Sequence, residues 1–483
     1  MSDQVFNLSN LIGNQLSGQG NTFSVHDPGD LTAQVATMAD ATEEEVDQAV
    51  AAAGAAQLVW ANTSVEARAT CLIQAAERLE ALVDHLADTL SREQGMLLRE
   101  TRRDAGNGPK TLRKTAAIGP DFMAEEVWTD AQTRLSIRKQ PRGVVAAIVP
   151  WNAPMGLTMG KLGPALITGN TLIVKPSPFA PVAVTLALQA IADVFPPGVV
   201  NVLNGDAAGP RLAAHAGVQK VSFTGSIATG VKVLQTAGAT LKHVTLELGG
   251  NDPALILPDA DARAAVAGIF RQAMARSGQV CYAVKRVYVP KAQYDAYCQA
   301  FIEAADALVV GYGRDPEATL GPVNNQAQYD YVNQLADAAQ ASGANVHTLG
   351  AMRAPADGTN GYYLPPRIVT DIAPDHPLVR EEQFGPLLPL IPYEQESEAI
   401  AECNATHHGL AASVWSQDEA RAEQCLRQIR SGVGFVNSHS RTPLGDRHMP
   451  FGGSKMSGLG RTRGEAGLQE YVEPYAVSIK AIR

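Results

Sequence analysis

Two residues of this chain, Cys281 and Glu247, have side chains that together can carry out acyl chemistry. Cys281 ends the run SGQVC, and Glu247 lies in LELGGN. A thiolate adds readily to a carbonyl carbon, and a carboxylate can then activate water against the resulting thioester. Taken singly, a cysteine between apolar residues is more often a structural thiol, and a glutamate after a strand is more often a surface residue. The two residues are far apart in sequence, so a joint role requires the fold to bring them together.

An asparagine and two polar clusters also follow β-rich runs. Asn152, in PWNAP, could stabilise an oxyanion together with the backbone N–H of Cys281, or could simply cap a turn between prolines. Gly225 and Ser226, in FTGS, precede a predicted helix whose N–H groups could bind a pyrophosphate, although a plain turn is the simpler interpretation. Lys175, in VKPS, could contact ribose or phosphate, or could face solvent before a proline turn.

Composition narrows the class of protein. A chain of 483 residues predicts two or three domains, and its net charge of −10 argues against a nucleic-acid partner. Five cysteines without CxxC spacing argue against a disulfide framework or a zinc site and favour reduced thiols in a cytoplasm. We predict no metal, because the adjacent His407 and His408 point in different directions. Neither a signal peptide nor a bilayer-spanning segment is predicted.

Helical patterns precede the first β-rich region. An acidic run opens a predicted helix that continues through an alanine-rich stretch to Trp60. Thr63 and Glu66 are predicted to form a capping box for the next helix, and residues 79–95 are predicted to continue helical.

From residue 143 onwards, short apolar runs alternate with helix-length segments. Apolar runs without polar alternation are typical of buried parallel strands, and their alternation with helices predicts a doubly wound α/β sheet. A later group of runs predicts a second α/β domain. Residues 124–141 are predicted to form a hairpin, and residues 471–482 a strand that pairs with it or with another subunit. The predicted strands cover 144–149, 171–174, 199–203, 220–223, 243–246, 253–257, 286–289 and 432–437, with helices over 261–276 and 292–307.

Taken together, the motifs resemble those of the NAD(P)-dependent aldehyde dehydrogenase superfamily. PWN, VKPS, FTGS, ELGGN, GQVC, EEQFGP and PFGG occur in the family's order and at roughly its spacings, and the resemblance spans about residues 35–477. It implies a Rossmann-like cofactor domain over 1–122 and 142–249 and a second α/β, catalytic domain over 250–456. It also implies a small β oligomerisation element over 123–141 and 467–483, and a homodimer or homotetramer.

The resemblance implies a role for each matched residue. Cys281 is similar to the family's nucleophile, Glu247 to its general base and Asn152 to its oxyanion-hole amide. A carboxylate at position 247 implies hydrolysis of the thioester rather than transfer to coenzyme A. The implied cofactor is NAD or NADP, and the residues implied to bind it are Trp151, Lys175, Ser177, Gly225, Ser226, Glu382 and Phe384.

Several positions depart from the family's pattern. Pro178 stands where many NAD-selective members carry a glutamate, so a barrier to NADP is absent. Ala153 and Gly160 stand where aromatic residues are common, which widens the predicted pocket, and residues 439–449 (HSRTPLGDRHM) are polar where many relatives are apolar or aromatic. Together these departures predict a roomy, partly polar pocket for a bulky, aromatic or anionic aldehyde. Thr462 replaces a glutamate and cannot relay a proton by ionising. The predicted pocket residues are Ala153, Leu157, Gly160, Val280, Tyr282, Arg447, His448 and Phe451.

Alternatives remain open at this stage. Arg447 and His448 could instead face solvent or pair with Asp446. The chain could be a thiol esterase that uses Cys281 and Glu247 without a hydride step, or a non-enzymatic structural protein of the same fold. The intact catalytic set argues against a structural role, and formation of reduced nicotinamide separates the three classes.

Overall fold

The computed structural model describes residues 4–353, 360–440 and 442–480, and its first large sheet has a parallel centre. Helices cover both faces of that centre, so its strand residues are buried apart from the half-buried His243. The central strands lie in the order His243–Glu247, Lys220–Thr224, Val144–Ile148, Thr171–Lys175 and Val200–Val202. Antiparallel strands extend the two ends: Gly458–Leu459 at one, and Asn10–Ile12 with Gln15–Ser17 at the other.

The helices around this sheet hold a separate apolar cluster against each face. Leu72, Leu162 and Leu172 belong to one cluster, and Val46 and Val221 belong to the other. No helix in the described ranges is both long and apolar enough to cross a bilayer. The helices are Glu43–Asn62, Val65–Ala81, Val83–Gln94, Leu98–Met123, Pro154–Ile167, Val182–Ile191, Ala208–Ala214 and Ile227–Gly238, with a 3₁₀ turn at Ala192–Val194.

The predicted capping box at Thr63 and Glu66 is wrong. The helix that follows begins after Ser64, whose hydroxyl accepts a hydrogen bond from the Ala67 N–H, while the Thr63 hydroxyl donates to the carbonyl of Val59. A capping box does occur one helix earlier, at Thr42 and the third helical residue beyond it. The error arose because two adjacent hydroxyl residues compete for one cap, and the one nearer the first helical turn takes it.

A second large sheet carries the segment around Cys281. Adjacent strands within this sheet run parallel, as predicted for a second α/β unit, except that Asn345–Thr348 and Arg367–Thr370 are antiparallel. Its order is Asn345–Thr348, Arg367–Thr370, Leu387–Tyr393, Val284–Pro290, Asp252–Ile256, Ala411–Trp415 and Val433–Val436. Its helices are Ala262–Met274, Tyr294–Asp306, Gln326–Ala341, Pro377–Arg380, Glu396–Asn404 and Glu419–Leu426, with 3₁₀ turns at Ala275–Gly278 and Lys291–Gln293.

The predicted hairpin and C-terminal strand form one antiparallel sheet. Thr133–Pro141 lies in its centre, between Glu126–Thr129 and Val472–Lys480. The prediction that the C-terminal strand pairs with the hairpin is therefore confirmed, whereas the domain boundaries stay a prediction. The remaining elements are strands Phe6–Leu8, Thr22–Asp27, Asp30–Ala39, Val309–Val310 and Ala351–Met352, helices Pro443–His448 and Gly464–Gln469, and a 3₁₀ turn at Lys455–Ser457.

Candidate active site

The carboxyl edge of the first sheet gathers four of the predicted motifs. Glu247 ends one strand, its neighbour ends at Thr224, the next strand leads into Asn152, and the fourth ends at Lys175. The strand Val144–Ile148 is the first of the parallel set in sequence, and later strands lie on both sides of it. This is a topological switch point, where open α/β sheets bind ligands beyond the carboxyl ends of their strands.

Glu247 is buried at the strand end and has polar partners on two sides. The Thr462 hydroxyl donates to its Oε1 at 3.1 Å. Burial raises the pKa of Glu247 to about 7, while the nearby ammonium of Lys161 and the Thr462 hydrogen bond oppose the rise. Lys161 is itself buried and donates to the Ser222 hydroxyl at 2.9 Å. A carboxylate with this pKa can take up and release a proton near neutrality.

Cys281 lies on the turn between the 3₁₀ turn Ala275–Gly278 and the strand Val284–Pro290, and it is partly exposed. Arg276 and Ser277 have left-handed φ values of 53° and 56°, an unusual backbone for residues with side chains. Burial raises the pKa of the Cys281 thiol to about 12, Lys285 lowers it, and Glu247 is among the anions that raise it further. In the folded chain the predicted base therefore acts electrostatically on the predicted nucleophile.

Asn152 joins the edge of the first sheet to the cysteine loop. Its side chain is buried, and its Nδ2 donates to the carbonyl of Gln279, two residues before the cysteine, at 3.0 Å. The guanidinium of Arg276 donates to the Asn152 carbonyl. An amide nitrogen carries two N–H groups, so one remains to donate to an oxygen beside the thiol.

The glycines after Glu247 leave room for the side-chain carboxylate of Glu382. The Gly250 N–H donates to Glu382 Oε1 at 3.1 Å, and a Cβ at Gly249 would collide with the same carboxylate. Phe384 follows in the same loop and contacts Trp151 edge to face, with ring centroids 5.5 Å apart. A carboxylate and two aromatic rings thus flank the approach to the cysteine loop, which suits a ribose and a flat heterocycle.

The FTGS segment forms the predicted turn and helix start. Ser226 caps the helix Ile227–Gly238 and accepts a hydrogen bond from the Thr229 N–H at 3.3 Å. The hydroxyl of Thr224 is buried and has no hydrogen-bond partner among the described residues. A helix N-terminus with free N–H groups beside an unpaired hydroxyl fits a bound pyrophosphate.

The VKPS segment lies further along the same sheet edge. Lys175 and Ser177 are buried, and the Lys175 ammonium lies 3.7 Å from the Asp206 carboxylate. Burial lowers the pKa of Lys175, and Asp206 opposes that shift. Lysine and hydroxyl donors at this edge suit the hydroxyls of a second ribose.

The predicted pocket residues are only partly brought together. Ala153, Leu157, Gly160, Val280 and Tyr282 are half-buried, and a Cβ added at Gly160 would meet nothing within 4 Å. Phe451 is buried and packs edge to face on Tyr282, with centroids 5.4 Å apart. His448 is exposed, and the side chain of Arg447 lies outside the described residues, so its pocket role stays a prediction.

Three further residues of the site were missed from sequence. Lys161 was detectable, because it is the one charged residue in the apolar helix sequence PMGLTMGKLGPALI. Lys285, which contacts the cysteine loop, had no comparable signal, and His439 stood only within the polar stretch 439–449 without a role of its own. The buried His439 imidazole lies 3.0 Å from the Tyr282 carbonyl and 3.5 Å from Asp252 Oδ2, contacts that only the fold creates.

Comparisons with known proteins agree with this arrangement. A point mutant of betaine aldehyde dehydrogenase from Staphylococcus aureus superimposes with a TM-score of 0.93 at 29% identity, covering 98% of this chain and 95% of that one. An aldehyde dehydrogenase from Bacillus cereus, solved as an NAD+ complex, gives 0.93 at 30% identity, with coverages of 98% and 96%. The predicted α/β fold is thereby confirmed. The sequence profile of the Aldehyde dehydrogenase family matches residues 16–477, and this chain therefore belongs to that family of enzymes, which oxidise aldehydes with a nicotinamide cofactor.

Proposed function

We propose that this protein oxidises an aldehyde to the carboxylic acid through a thioester on Cys281, which water activated by Glu247 then hydrolyses. The proposal is supported by the bond from the Asn152 side chain to the Gln279 carbonyl in the cysteine loop, and by the electrostatic effect of the Glu247 carboxylate on the Cys281 thiol. Glu247 is buried at the end of its strand, with its pKa raised to about 7. A base with its pKa raised into this range is partly ionised at neutral pH, and the ionised form can accept a proton from water.

The chain's own groups account for the chemical steps. The Cys281 thiol loses its proton as its sulfur adds to the aldehyde carbon, and Glu247 is the nearby base of lower pKa. The free N–H of the Asn152 amide and the Cys281 N–H stabilise the resulting oxyanion. A bound nicotinamide would supply the acceptor for the hydride that leaves this carbon, which would produce the thioester. Glu247 first passes the thiol proton to solvent. It then takes a proton from water as the water attacks the thioester, and returns that proton to the departing sulfur, which restores the thiol as the acid is released.

The cofactor would lie across the carboxyl edge of the first sheet. Lys175 and Ser177 would hold the adenosine ribose. The turn at Gly225 and Ser226 would hold the pyrophosphate through the first N–H groups of the helix Ile227–Gly238, since the Gly225 N–H itself donates to the Glu247 carbonyl at 3.1 Å. Glu382 would accept from the hydroxyls of the nicotinamide ribose, beside Trp151 and Phe384. The unpaired Thr224 hydroxyl and the collision that any side chain at position 249 would have with Glu382 support this placement.

A panel of aldehydes tests the proposal. Each is mixed with the full chain and NAD+ or NADP+, and absorbance of the reduced nicotinamide is followed. The panel contains benzaldehyde and succinic semialdehyde, because the predicted pocket suits bulky, aromatic or anionic substrates. It also contains the cationic betaine aldehyde, because one of the similar solved structures is a betaine aldehyde dehydrogenase. An increase in the absorbance of reduced nicotinamide that equals the amount of acid formed supports the proposal. Cleavage of esters without formation of reduced nicotinamide favours a thiol esterase. The absence of both activities favours a structural role.

Both cofactors are expected to support turnover. A carboxylate three residues after Lys175 would repel a 2′-phosphate, and this position holds the uncharged Pro178 instead. Pro178→Glu is expected to raise the KM for NADP+ about tenfold or more while leaving the KM for NAD+ unchanged or lower. Initial rates with each cofactor give the result, and complete rejection of millimolar NADP+ by the wild-type enzyme would contradict it.

The hydrolysis step is expected to speed up as pH rises through about 7. Burial raises the pKa of Glu247 to about 7 and the base acts only when ionised, so the rate levels off above that value. Lys161 stabilises the ionised form, so Lys161→Met should move the midpoint about one unit higher, whereas Lys161→Arg should leave it nearly in place. Single-turnover deacylation between about pH 5.5 and 9 measures the midpoint. An identical midpoint in Lys161→Met would count against the pairing.

A homodimer or homotetramer is expected to form through the small antiparallel sheet. Val472–Lys480 is an edge strand of that sheet, and the register places Val127, Tyr475 and Ile479 on one face with 47%, 45% and 49% exposure. A long edge strand with exposed apolar residues favours pairing with another copy. Replacing Tyr475 and Ile479 together by Asp should shift sedimentation towards the monomer, whereas the exposed Leu58→Asp should not. A wild-type chain that is monomeric at micromolar concentration would contradict the proposal.

A further inference from the structure

Lys285 is a buried cation directly beneath the cysteine loop. It is 1% exposed, at the start of the strand Val284–Pro290. Its Nζ donates to the carbonyl of Val280 at 2.7 Å and to the carbonyl of Cys281 at 3.1 Å, and it lies 3.4 Å from Glu382 Oε1. An ammonium has three N–H groups, and these three acceptors account for all of them. Burying a charge this deeply is costly, so an ordinary surface role does not explain the residue.

The same ammonium faces groups that the proposed reaction uses. The charged groups that act on the Cys281 thiol are Lys285, which favours the thiolate, and Glu382, Glu247 and Asp252, which oppose it. The Phe384 ring centroid lies 5.7 Å from the Lys285 ammonium, and Lys285 also acts on the buried His408 imidazole. One cation thus stands against three carboxylates around the nucleophile, in an interior where charge interactions are stronger than in water.

We propose that Lys285 is a positioning residue that fixes the backbone of the cysteine loop and supplies a positive charge that stabilises the Cys281 thiolate. The position also links the nucleophile to the cofactor site, because the third N–H points to the carboxylate assigned to the nicotinamide ribose. The negative charge of Glu382 offsets part of the stabilisation that the Lys285 ammonium gives to the thiolate. A ligand whose hydroxyls bind Glu382 would weaken that offset, so the ammonium would stabilise the thiolate more strongly. The inference rests on the proposed role of Cys281 as nucleophile.

Alkylation of Cys281 by iodoacetamide tests this directly, since only the thiolate displaces iodide. The rate is followed from about pH 6 to 10 in the full-length protein without cofactor, by mass spectrometry of the peptide that carries Cys281. Peptide analysis separates this residue from the half-exposed Cys71. We expect Lys285→Met to alkylate about tenfold more slowly throughout this pH range, because a thiol pKa raised by about one unit lowers the thiolate fraction about tenfold. Glu382→Gln should alkylate faster than wild type, and Lys285→Arg should retain most of the wild-type rate because it keeps the charge.

A second lysine provides the matched control. Lys455 donates to the carbonyls of Asn404 and Thr406 at 2.9 and 3.0 Å, so Lys455→Met loses two bonds of the same kind in another loop. Its alkylation profile should match wild type. Superimposable profiles for Lys285→Met and wild type would overturn the proposal, as would an equal loss in Lys285→Arg. Alkylation needs no aldehyde and no hydride transfer, so this result is independent of whether the chain turns over the aldehyde panel.

Discussion

Cys281→Ala is expected to lower kcat/KM for any aldehyde that the enzyme oxidises by a factor on the order of 10⁴ or more. The side chain forms the covalent bond to substrate in the proposed reaction, and alanine has no group that can replace sulfur. The backbone of the loop should survive, because the carbonyls at Val280 and at position 281 remain to accept from Lys285. Production of reduced nicotinamide and binding of the cofactor, measured separately, show whether only the chemical step is lost.

Cys71→Ala is the matched control for that loss. Cys71 is also partly exposed, but it lies in the helix Val65–Ala81 and contacts the apolar cluster on one face of the first sheet. Its thiol has no predicted function, so the variant should keep wild-type kcat/KM with at most a small loss of stability. Substantial aldehyde oxidation by Cys281→Ala would exclude the thioester route and leave the family fold with a different mechanism.

The arrangement of strands around the site was largely predictable from sequence. The runs before PWN and VKPS are mostly apolar, whereas KVSF and HVTL, before FTGS and ELGGN, also contain polar residues, which are buried or half-buried because both faces of a parallel sheet are covered. Such runs predict strands, and strands alternating with helices predict that polar residues after them share one edge. The observed strands differ from the predicted ranges by only one or two residues at their ends. That edge is where Glu247, Asn152 and Lys175 lie.

The side-chain partners within the site could not be predicted in the same way. Lys161 reaches Ser222 from a helix, and Lys285 reaches the Val280 carbonyl from a strand. Each contact depends on how a flexible side chain crosses from one element to another, which periodicity does not encode. The same limit applies to Asn152, whose type and place after a strand were informative but whose bond to the Gln279 carbonyl emerges only from the packed fold.

The role of Thr462 shows how the structure alters a sequence argument. Thr462 cannot ionise, and the sequence suggested only that a secondary proton path was lost. In the structure its hydroxyl donates to Glu247 Oε1 at 3.1 Å and lowers the pKa of that carboxyl against the effect of burial. A hydrogen bond to the ionised form favours ionisation. Thr462 thus helps to set the proton affinity of Glu247 although it does not transfer a proton itself.

Glu247→Gln is expected to separate the two halves of the reaction. Glutamine keeps the size of the side chain and can still bond to Thr462, but it cannot take a proton from water. The first turnover should still release reduced nicotinamide, provided that solvent can accept the thiol proton. Steady-state turnover should then fall by about 10² to 10⁴, the usual contribution of a general base. Rapid mixing should show a burst of about one equivalent per active site, followed by a slow phase.

The accumulated thioester is the decisive observation for this variant. A peptide carrying Cys281 should gain the mass of the acyl group during the slow phase, and wild type should show little of it. Glu465→Gln removes the same charge at an exposed position in the helix Gly464–Gln469, so it should leave both phases unchanged. Full steady-state turnover in Glu247→Gln would show that another group activates water. Loss of both burst and turnover, with cofactor binding intact, would show that solvent cannot replace Glu247 in deprotonating the Cys281 thiol, because the reaction would then fail before hydrolysis.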